Sequence, residues 1–396
     1  MKNKLLLKIT FMLVGFAVMG DMVIIPAIGG FMGSFPEASK VQLDMFLVYP
    51  LLASVIGSIL CGYLTQYISK KYLLTGAYVL FIIAACGGAL INNIHYILTM
   101  RMLVGFTYGF VPTVAMGLIA EVFMEEEERS SMMGIYNSAT TVLGALMSLV
   151  SGYLAVGDWH HSYYIYLTSI PIFLMIIAFI PKTPPEGKKA SATSPEKGRV
   201  PWAKFLPVAM AYLVFNILYS IIMYFVGIYV EETKLGDAST TGILSMAGSV
   251  GMFLGGLVFS KVYMRIKRGM PIIIFLLTAL AYVVMAYPSN AWIIGAMCLL
   301  GGLAYGFSVS YYYMYTSMIV PENVTSLAMG ILGAGLSLGG FFSAYVRDFY
   351  KALLGVDTIA PTFLYIGITC AVCGVLSIIL TIRSRKNPVM DNQAGA

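Results

Sequence analysis

Apolar runs of membrane-spanning length are the feature that most limits what this chain can fold into. Windows of about 20 mainly apolar residues, the number that a helix needs to cross a bilayer, follow one another along the sequence. Of the 396 residues, 59% are hydrophobic and only 11% are charged, whereas a soluble domain carries about 25% charged residues. So few charges cannot cover a soluble surface of this size. The sequence therefore predicts an all-α membrane protein that crosses the bilayer many times.

Twelve apolar spans can be counted, six on each side of one polar segment. They cover about residues 9–32, 43–66, 72–91, 96–122, 130–156, 161–181, 205–229, 238–262, 271–288, 291–319, 326–350 and 361–382. The segment between spans 6 and 7 is rich in Pro, Ser and Thr and holds six Lys or Arg residues, which is typical of a solvated linker. We therefore predict an N-terminal six-helix bundle over 1–182, a cytoplasmic linker over 183–204 and a C-terminal six-helix bundle over 205–396.

The basic residues predict how the chain is oriented in the membrane. With the N-terminus inside, 19 of the 24 Lys and Arg residues lie on the cytoplasmic side, four lie outside, and Arg101 lies within a span. Cytoplasmic loops of membrane proteins are enriched in Lys and Arg. We therefore predict a multi-pass protein of the cytoplasmic (inner) membrane with both termini in the cytoplasm.

The two halves of the sequence repeat each other in parallel. Three sets of segments match in the same order: Val104–Phe110 with Gly301–Phe307 at an offset of 197, Met133–Ile135 with Met329–Ile331 at 196, and Gly57 and Gly62 with Gly251 and Gly256 at 194. This order and spacing are hard to obtain by chance. One difference stands out, because Arg101 is opposite Cys298. The halves therefore share a scaffold, and the first carries an intramembrane charge that the second lacks.

Sequence motifs for catalysis or metal binding are missing, so we predict neither an enzyme nor a cofactor. The sequence has no Gly-rich nucleotide-binding loop, no His/Cys/Glu cluster and no nucleophile motif. The five cysteines lie in apolar segments, so disulfides are not expected, and Cys370 and Cys373 are interpreted as packing residues. The net charge of +6 comes from helix ends and does not indicate nucleic acid. The expected partners are a small-molecule substrate, protons and the lipid bilayer, and the complete two-half architecture favours a monomer.

The loop between spans 2 and 3 carries a family-like pattern. It reads Gly62-Tyr-Leu-Thr-Gln66-Tyr-Ile-Ser69-Lys70-Lys71 and is similar to Gly-x-Leu-Ala-Asp-Arg-x-Gly-Arg-Arg, the inner-loop motif of the major facilitator superfamily. The first Gly, the Leu and the basic pair are present, whereas Gln66 replaces the Asp and Ser69 replaces the second Gly. Together with six plus six spans and parallel repeats, the chain resembles this family. The resemblance implies two six-helix bundles and a gating role for Gly62, Gln66, Lys70 and Lys71, without the contact that the Asp would make.

Two further patterns are similar to the twelve-span drug:proton antiporters of that family. Arg101 and Gly105 match the span-4 pattern Arg-x-x-x-Gly, and Asp21 precedes Pro26 in span 1 as in that branch. The Gly-Pro pair of the antiporter signature in span 5 is missing, because Gly144 is followed by Ala145. Small residues let membrane helices approach closely. Glycine-rich faces around Gly105, Gly144 and Gly340 are therefore expected either to pack helices or to let them slide as the protein changes state.

Asp21 and Arg101 are the candidate proton-coupling residues. Asp21 lies about 15 Å from the outer end of span 1, at a rise of about 1.5 Å per residue. A carboxylate at that depth costs several kcal/mol unless it is paired, hydrated or protonated. Arg101, about one helical turn away in depth, is the expected partner. The alternative is a static ion pair that only fixes helix packing.

Polar, aromatic and thioether side chains of spans 5, 7 and 10 are the candidate substrate-binding residues. They are Asn137, Asn216, Tyr219, Ser220, Met223, Tyr311, Tyr312 and Tyr315. Rings and thioethers adapt to varied apolar shapes, which favours an amphipathic or aromatic ligand. Membrane interfaces also enrich Tyr, so any one of these tyrosines can instead be an interface anchor.

The sequence thus favours a secondary active transporter that exports an amphipathic or aromatic solute in exchange for protons. An uptake symporter or exchanger for a small organic solute such as a carboxylate is the alternative, and it is favoured by the missing Gly-Pro pair. A non-transporting membrane sensor is a third possibility.

Overall fold

The computed structural model describes residues 2–20, 23–24, 27, 31, 33–37, 40–156, 158–187, 199–236, 238–287 and 290–386. Within these ranges the regular secondary structure is helical. The helices are α1 (Lys2–Val14, continued by the 3₁₀ helix Gly15–Met19), α2 (Lys40–Leu64), α3 (Lys70–Gly87), α4 (Ile94–Val122), α5 (Glu126–Leu154), α6 (Ser169–Phe179, preceded by the 3₁₀ helix Trp159–Thr168), α7 (Trp202–Thr233), α8 (Ala238–Ile266), α9 (Met270–Met285), α10 (Ala291–Ile319), α11 (Thr325–Leu354) and α12 (Ala360–Lys386).

Most of these helices have the length and apolar character of membrane spans. In the described part of the chain, nine helical segments are long and apolar enough to cross a bilayer, and Tyr49–Leu64 of α2 is apolar but shorter. Helices suit the membrane interior because they satisfy their backbone hydrogen bonds within the segment. The prediction of an all-α chain with membrane-spanning helices is therefore confirmed.

Contacts divide the chain into two compact units, and each unit combines distant parts of the sequence. Unit 1 comprises Met1–Met124, Ala139–Phe205 and Val320–Ser337. Unit 2 comprises Glu125–Ser138, Leu206–Ile319 and Leu338–Ala396. Unit 1 thus includes the first half of α11, although α11 comes from the second half of the sequence. The predicted boundaries of the six-helix bundles, at residues 182 and 205, stay a prediction beside this contact-based division.

In each unit a helix pair packs especially closely, and these two pairs occupy matching places in the sequence repeat. In unit 1, α2 packs along α4, and a side chain at Gly57 would collide with the carbonyl oxygen of Phe106. In unit 2, α8 packs along α10, and a side chain at Gly251 would collide with the carbonyl oxygen of Leu299. Glycine is needed at both places because the backbones approach so closely. The repeat in the sequence therefore encodes a repeated helix-packing interface.

The core of unit 2 joins α7, α8, α9, α10 and α12 through buried apolar side chains. Tyrosine hydroxyls add hydrogen bonds between α7 and α9: the Tyr229 hydroxyl donates to the carbonyl of Met285 at 2.8 Å, and that of Tyr282 accepts from the Ile222 amide at 3.1 Å. Cys370 is fully buried in this core and is a free thiol. Its surroundings agree with the interpretation of this cysteine as a packing residue.

Candidate functional site

A buried ion-pair cluster lies in unit 1 where α2 ends and α3 begins. The Lys70 ammonium lies 2.7 Å from Oε2 of Glu121 and 2.8 Å from Oε1 of Glu186. The exposed fractions of the three side chains are 2% for Lys70, 13% for Glu121 and 0% for Glu186. Charges removed from water in this way are tolerated only when partners replace the lost hydration. The pairing of Lys70 with two carboxylates is therefore a requirement of its burial.

Neutral donors complete the surroundings of the Glu186 carboxylate. It accepts hydrogen bonds from the Ser326 hydroxyl at 2.7 Å, the Gln66 amide nitrogen at 3.2 Å and the Thr65 hydroxyl at 3.4 Å. The Gln66 amide also donates to the carbonyl of Asn323 at 2.7 Å. We name this group the Glu186 cluster, and its members are Thr65, Gln66, Lys70, Glu121, Glu186 and Ser326. It connects the α2–α3 loop, α4, the segment after α6 and the first turn of α11.

Small residues make room for this cluster. A Cβ atom at Gly117 of α4 would lie 3.4 Å from Cε of Lys70 and would collide with the Ser326 hydroxyl. A Cβ atom at Gly62 of α2 would lie 2.7 Å from Cα of Leu327 in α11. The first turn of α11 therefore lies directly against the backbone of α2. Small residues at such a place allow the two backbones to approach closely.

Three of the four predicted gating residues of the α2–α3 loop lie together. Gly62, Gln66 and Lys70 all contact the Glu186 cluster or α11, whereas Lys71 donates to the carbonyl of Ile177 at 2.7 Å. Glu186 was not among the predicted site residues, because it lies in the segment interpreted as a solvated linker. Glu121, at the end of α4, is a further member that was not among the predicted site residues. The signal available in the sequence was the replacement of the motif Asp by Gln66, which leaves a carboxylate to be supplied from elsewhere.

Unit 2 contains a weaker counterpart at the start of α5 and the end of α8. The Tyr263 hydroxyl donates to Oε1 of Glu126 at 2.9 Å, and the Lys267 ammonium lies 3.3 Å from Oε2 of the same residue. The exposed fractions of Lys267 and Glu126 are 53% and 30%. The hydroxyls of Ser130 and Ser260 lie 2.8 Å apart. The repeat therefore places polar contacts at corresponding loops, but of these two groups the Glu186 cluster is the one sealed from water.

Arg101 lies on α4 in unit 1 and is almost completely buried. Its guanidinium carbon lies 4.8 Å from the ring centroid of Phe46, and its Nε donates to the carbonyl of the same residue at 3.4 Å. A cavity of about 10 Å³, which is close to the space that one water needs, is lined by Arg101, Tyr163 and Tyr166 among others. Its predicted partner Asp21 lies outside the described residues.

The predicted substrate-binding amides lie in unit 2 and differ in their surroundings. Asn137 on α5 is half-buried, and its Nδ2 donates to the carbonyl of Gly306 at 3.4 Å. Asn216 on α7 is fully buried, and its Nδ2 donates to the carbonyl of Tyr212 at 2.8 Å. The Oδ1 atom of Asn216 has no hydrogen-bond partner among the described residues. Buried polar groups are normally paired, so this acceptor is an exception in the core of unit 2.

Aromatic rings of α7 and α10 form two groups in unit 2. Tyr219 stacks on Tyr305 with ring centroids 4.6 Å apart, and Tyr311 stacks on Tyr315 at 5.5 Å. Tyr312 is buried, with its ring 5.0 Å from that of Tyr212. Ser220 is buried beside Tyr219 in the chain, whereas Met223 is exposed.

Tyr305 belongs with Tyr219 but was not selected from the sequence. It is half-buried and therefore more accessible than Tyr219. The repeat could have pointed to it, because Tyr305-Gly-Phe307 matches Tyr108-Gly-Phe110.

The remaining predicted gating glycines lie at helix contacts or inside helices. A Cβ atom at Gly105 would collide with the backbone of Pro50 in α2. At Gly340 of α11 it would lie 3.4 Å from the ring of Tyr224 in α7, which is a tight but ordinary contact. Gly144 is buried in α5. Gly105 therefore fixes a close helix pair, whereas the helices at Gly340 meet through a side chain.

Comparisons with known proteins agree with this architecture. The sequence profile of the Major Facilitator Superfamily matches residues 10–344. Among curated proteins, the arabinose-proton symporter of Escherichia coli K12 is 22% identical over 136 residues, which cover 34% of this chain and 28% of that protein. Human protein spinster homolog 1 is 27% identical over 160 residues, 38% of this chain and 28% of that protein. The matched regions thus span less than a third of these relatives.

Solved structures with the same fold cover nearly the whole chain. The human organic anion transporter MFSD10 (TETRAN) superimposes with a TM-score of 0.76 at 12% identity, over 94% of this chain and 99% of that one. The proton:xylose symporter XylE bound to 6-bromo-6-deoxy-D-glucose gives 0.72 at 14% identity, over 96% and 95%. A double-tryptophan mutant of XylE gives 0.78 at 14% identity, over 93% and 94%. These likenesses confirm the predicted all-α fold with twelve membrane helices.

Proposed function

Because this chain belongs to the Major Facilitator Superfamily, we propose that it is a secondary active transporter that moves a small organic solute across the cytoplasmic membrane by alternating access. The solute is amphipathic or aromatic, and it leaves the cell in exchange for protons. The chain works as a monomer, with the α2–α3 loop and both termini on the cytoplasmic side.

The observation that carries this proposal is the contact between α2 and the first half of α11. The two helices come from opposite halves of the sequence, yet Gly62 meets Leu327 and Gly330 meets Ser58 through backbone atoms. In alternating access, one side of the membrane is closed by contacts that must later separate. Backbone contacts across glycine suit that task, because they close tightly and hold no interdigitated side chains. The α2–α11 contact is accordingly the inner gate in its closed state.

The aromatic side chains of unit 2 support an amphipathic or aromatic solute. Tyr219 of α7 and Tyr305 of α10 form a stacked pair, and Met223 is exposed about one helical turn after Tyr219 on α7. Stacked rings offer a flat apolar face, and the buried acceptor of Asn216 can orient one polar group of a ligand. These groups are uncharged, so they select by shape and hydrogen bonding rather than by charge.

Proton coupling is assigned to Asp21 with Arg101. The burial of Arg101 supports this role, because a cation held in an apolar region favours a nearby anion. A movement that separates the two residues would then load Asp21 with a proton. The test of this role is the replacement of the carboxylate by an amide.

An uptake symporter for a small organic solute is the second candidate. The missing Gly-Pro pair at Gly144-Ala145 favours it, and one matched relative carries the name arabinose-proton symporter. A carboxylate substrate would require a cation in the cavity, and Arg101 is the residue available for that role. A membrane sensor that transports nothing would bind solute without carrying it.

The experiment that tests the proposal measures proton release when solutes are added to the purified protein in detergent. The panel contains lipophilic cations, bile-acid-like anions, small carboxylates and pentoses, and each is added to the wild type and to Asp21→Asn. Proton release by the wild type alone supports antiport through Asp21. Binding without proton release to both proteins favours uptake or facilitated diffusion.

Transport by reconstituted vesicles completes the test. Compounds that bind in detergent are loaded into vesicles containing the wild type or Asp21→Asn, and their efflux is followed with and without a pH gradient. The proposal fails if compounds that bind do not cross the vesicle membrane, and the sensor alternative then takes its place.

A further inference from the structure

We propose that Glu186, in the segment between α6 and α7, is the carboxylate that holds the inner gate closed, in place of an acidic residue in the α2–α3 loop. This inference rests on the proposed alternating-access function. Gln66 occupies the loop position and contributes no charge. The linker then helps to hold the gate closed, in addition to connecting the two halves.

The Glu186 carboxylate contacts both α11 and the start of α3. One oxygen of Glu186 accepts from the Ser326 hydroxyl at 2.7 Å and the Ser326 amide at 3.2 Å, and the same oxygen lies 2.8 Å from the Lys70 ammonium. Ser326 is the second residue of α11. Amides in the first turn of a helix lack partners within the helix, and the helix dipole favours an anion there. Glu186 therefore accepts a hydrogen bond from a first-turn amide of α11 and pairs with Lys70 of α3 at the same time.

The backbone at the start of the linker is hydrogen-bonded to the α2–α3 loop. The amide of Glu186 donates to the carbonyl of Thr65 at 2.9 Å, and the amide of Gly187 donates to that of Gln66 at 3.2 Å. A Cβ atom at Gly187 would lie 2.7 Å from the Gln66 carbonyl oxygen, so glycine is needed for this approach. The start of the linker is therefore fixed to the α2–α3 loop by its backbone, and the Glu186 side chain reaches α11.

The side-chain amide of Gln66 is surrounded by hydrogen-bond acceptors. Its amide nitrogen donates both to Oε2 of Glu186 at 3.2 Å and to the carbonyl of Asn323 at 2.7 Å. Both partners are acceptors, so a carboxylate at position 66 would repel them. The cluster therefore accommodates one acidic residue at positions 66 and 186 taken together. An amide at 66 and a carboxylate at 186 form one solution, and the reverse arrangement is the other.

This geometry predicts which bonds break when the gate opens. Separation of α11 from α2 breaks the bonds between Glu186 and Ser326, while the backbone bonds to Thr65 and Gln66 keep the linker on the loop. Opening therefore exposes a carboxylate that still has Lys70 as its partner. Because Glu186 favours the closed gate through Ser326, its removal is expected to favour the open one.

Hydrogen–deuterium exchange of the full chain without solute tests the proposal. The peptides of interest cover the first turns of α11 and the α2–α3 loop. In Glu186→Gln we expect exchange at least about tenfold faster in both than in the wild type, because a charge-assisted hydrogen bond is lost. Glu125→Gln removes an exposed carboxylate just before α5 and should exchange like the wild type.

A second experiment moves the negative charge from position 186 to position 66. Gln66→Asp alone should speed exchange at the first turn of α11, and Gln66→Asp combined with Glu186→Gln should restore much of the protection. Equal exchange of Glu186→Gln and the wild type in these peptides overturns the proposal, and so does a double variant no better protected than both single ones. If Glu186→Gln does not fold, Ser326→Ala decides, because it removes the shorter of the two Ser326 contacts to Glu186, that of the hydroxyl, and leaves the pair with Lys70 in place. Faster exchange at the first turn of α11 then supports the proposal, and unchanged exchange overturns it.

Failure of this inference is distinguishable from failure of the transporter proposal. Exchange is measured without any solute, so an open gate in Glu186→Gln supports the role of Glu186 even if no solute is found to cross vesicles. Conversely, solute transport by the wild type with unchanged exchange in Glu186→Gln retains the transporter and removes the linker from its gate.

Discussion

The Lys70 ammonium lies 2.7 Å from the Glu121 carboxylate, and this pair joins the start of α3 to the end of α4 inside unit 1. Lys70 follows Ser69 in the chain, and its side chain is buried while that of its neighbour Lys71 is more exposed. Two adjacent lysines of one motif therefore have different roles. Lys70 is part of the buried network, and Lys71 donates to a backbone carbonyl.

Lys70→Met should destabilise the protein strongly. The change leaves the buried carboxylate of Glu186 without its cation, and removal of one partner from a buried ion pair costs about 3–5 kcal/mol. Thermal unfolding in detergent measures the effect. Lys71→Met is the matched control and should change the unfolding temperature little. Equal effects of the two substitutions would show that burial of Lys70 contributes nothing beyond its charge.

Gly330→Val should prevent the inner gate from closing. A side chain at this position of α11 would collide with the carbonyl oxygen of Ser58 in α2. We expect transport to fall at least about tenfold and amide exchange in both helices to rise, because the helices cannot approach. Gly76→Val in α3 is the control, since a Cβ atom there would have no neighbouring atom within 4 Å. Normal transport by Gly330→Val would exclude this contact from the gate.

Arg101→Lys should impair transport although the charge is kept. The guanidinium group lies over the ring of Phe46 and donates to its carbonyl, and the lysine ammonium cannot reproduce a planar stacked contact. We expect proton-coupled transport to fall about tenfold, with a shifted pH dependence of the rate. Phe46→Tyr keeps a ring for the cation and should remain active. Full activity of Arg101→Lys would mean that charge alone is needed at this position.

Tyr305→Leu should weaken the binding of an aromatic solute. The substitution removes one ring of the Tyr219 stack, and ring stacking of this kind is worth about 1 kcal/mol, or about fivefold in affinity. Tyr305→Phe retains the ring and should bind nearly as the wild type does. Binding is followed by the thermal shift that a solute from the detergent panel produces. Tyr287→Leu, at an exposed position after α9, controls for the loss of a tyrosine.

The repeat in the sequence predicted helix packing better than it predicted function. Gly57 and Gly251 were matched by position alone, and they occupy equivalent close contacts in α2–α4 and α8–α10. Glycine at a helix interface carries its own signal, because a close backbone approach admits no larger residue. A tyrosine in the sequence is a weaker indication of its role, since its ring can pack in a core, lie at a membrane interface or contact a ligand. For this reason the sequence does not distinguish Tyr305 from the other tyrosines, although its ring stacks on that of the predicted residue Tyr219.

The sequence by itself determined the membrane class, the helices and the repeated scaffold, because each follows from composition or from spacing along one element. Only the tertiary structure decided the partners of Lys70 and the position of Glu186. The bonds from Glu186 to Gln66 and to Ser326 join residues 120 and 140 positions apart. No local pattern encodes such a pairing. It arises because buried charges must find partners wherever the folded chain brings polar groups together.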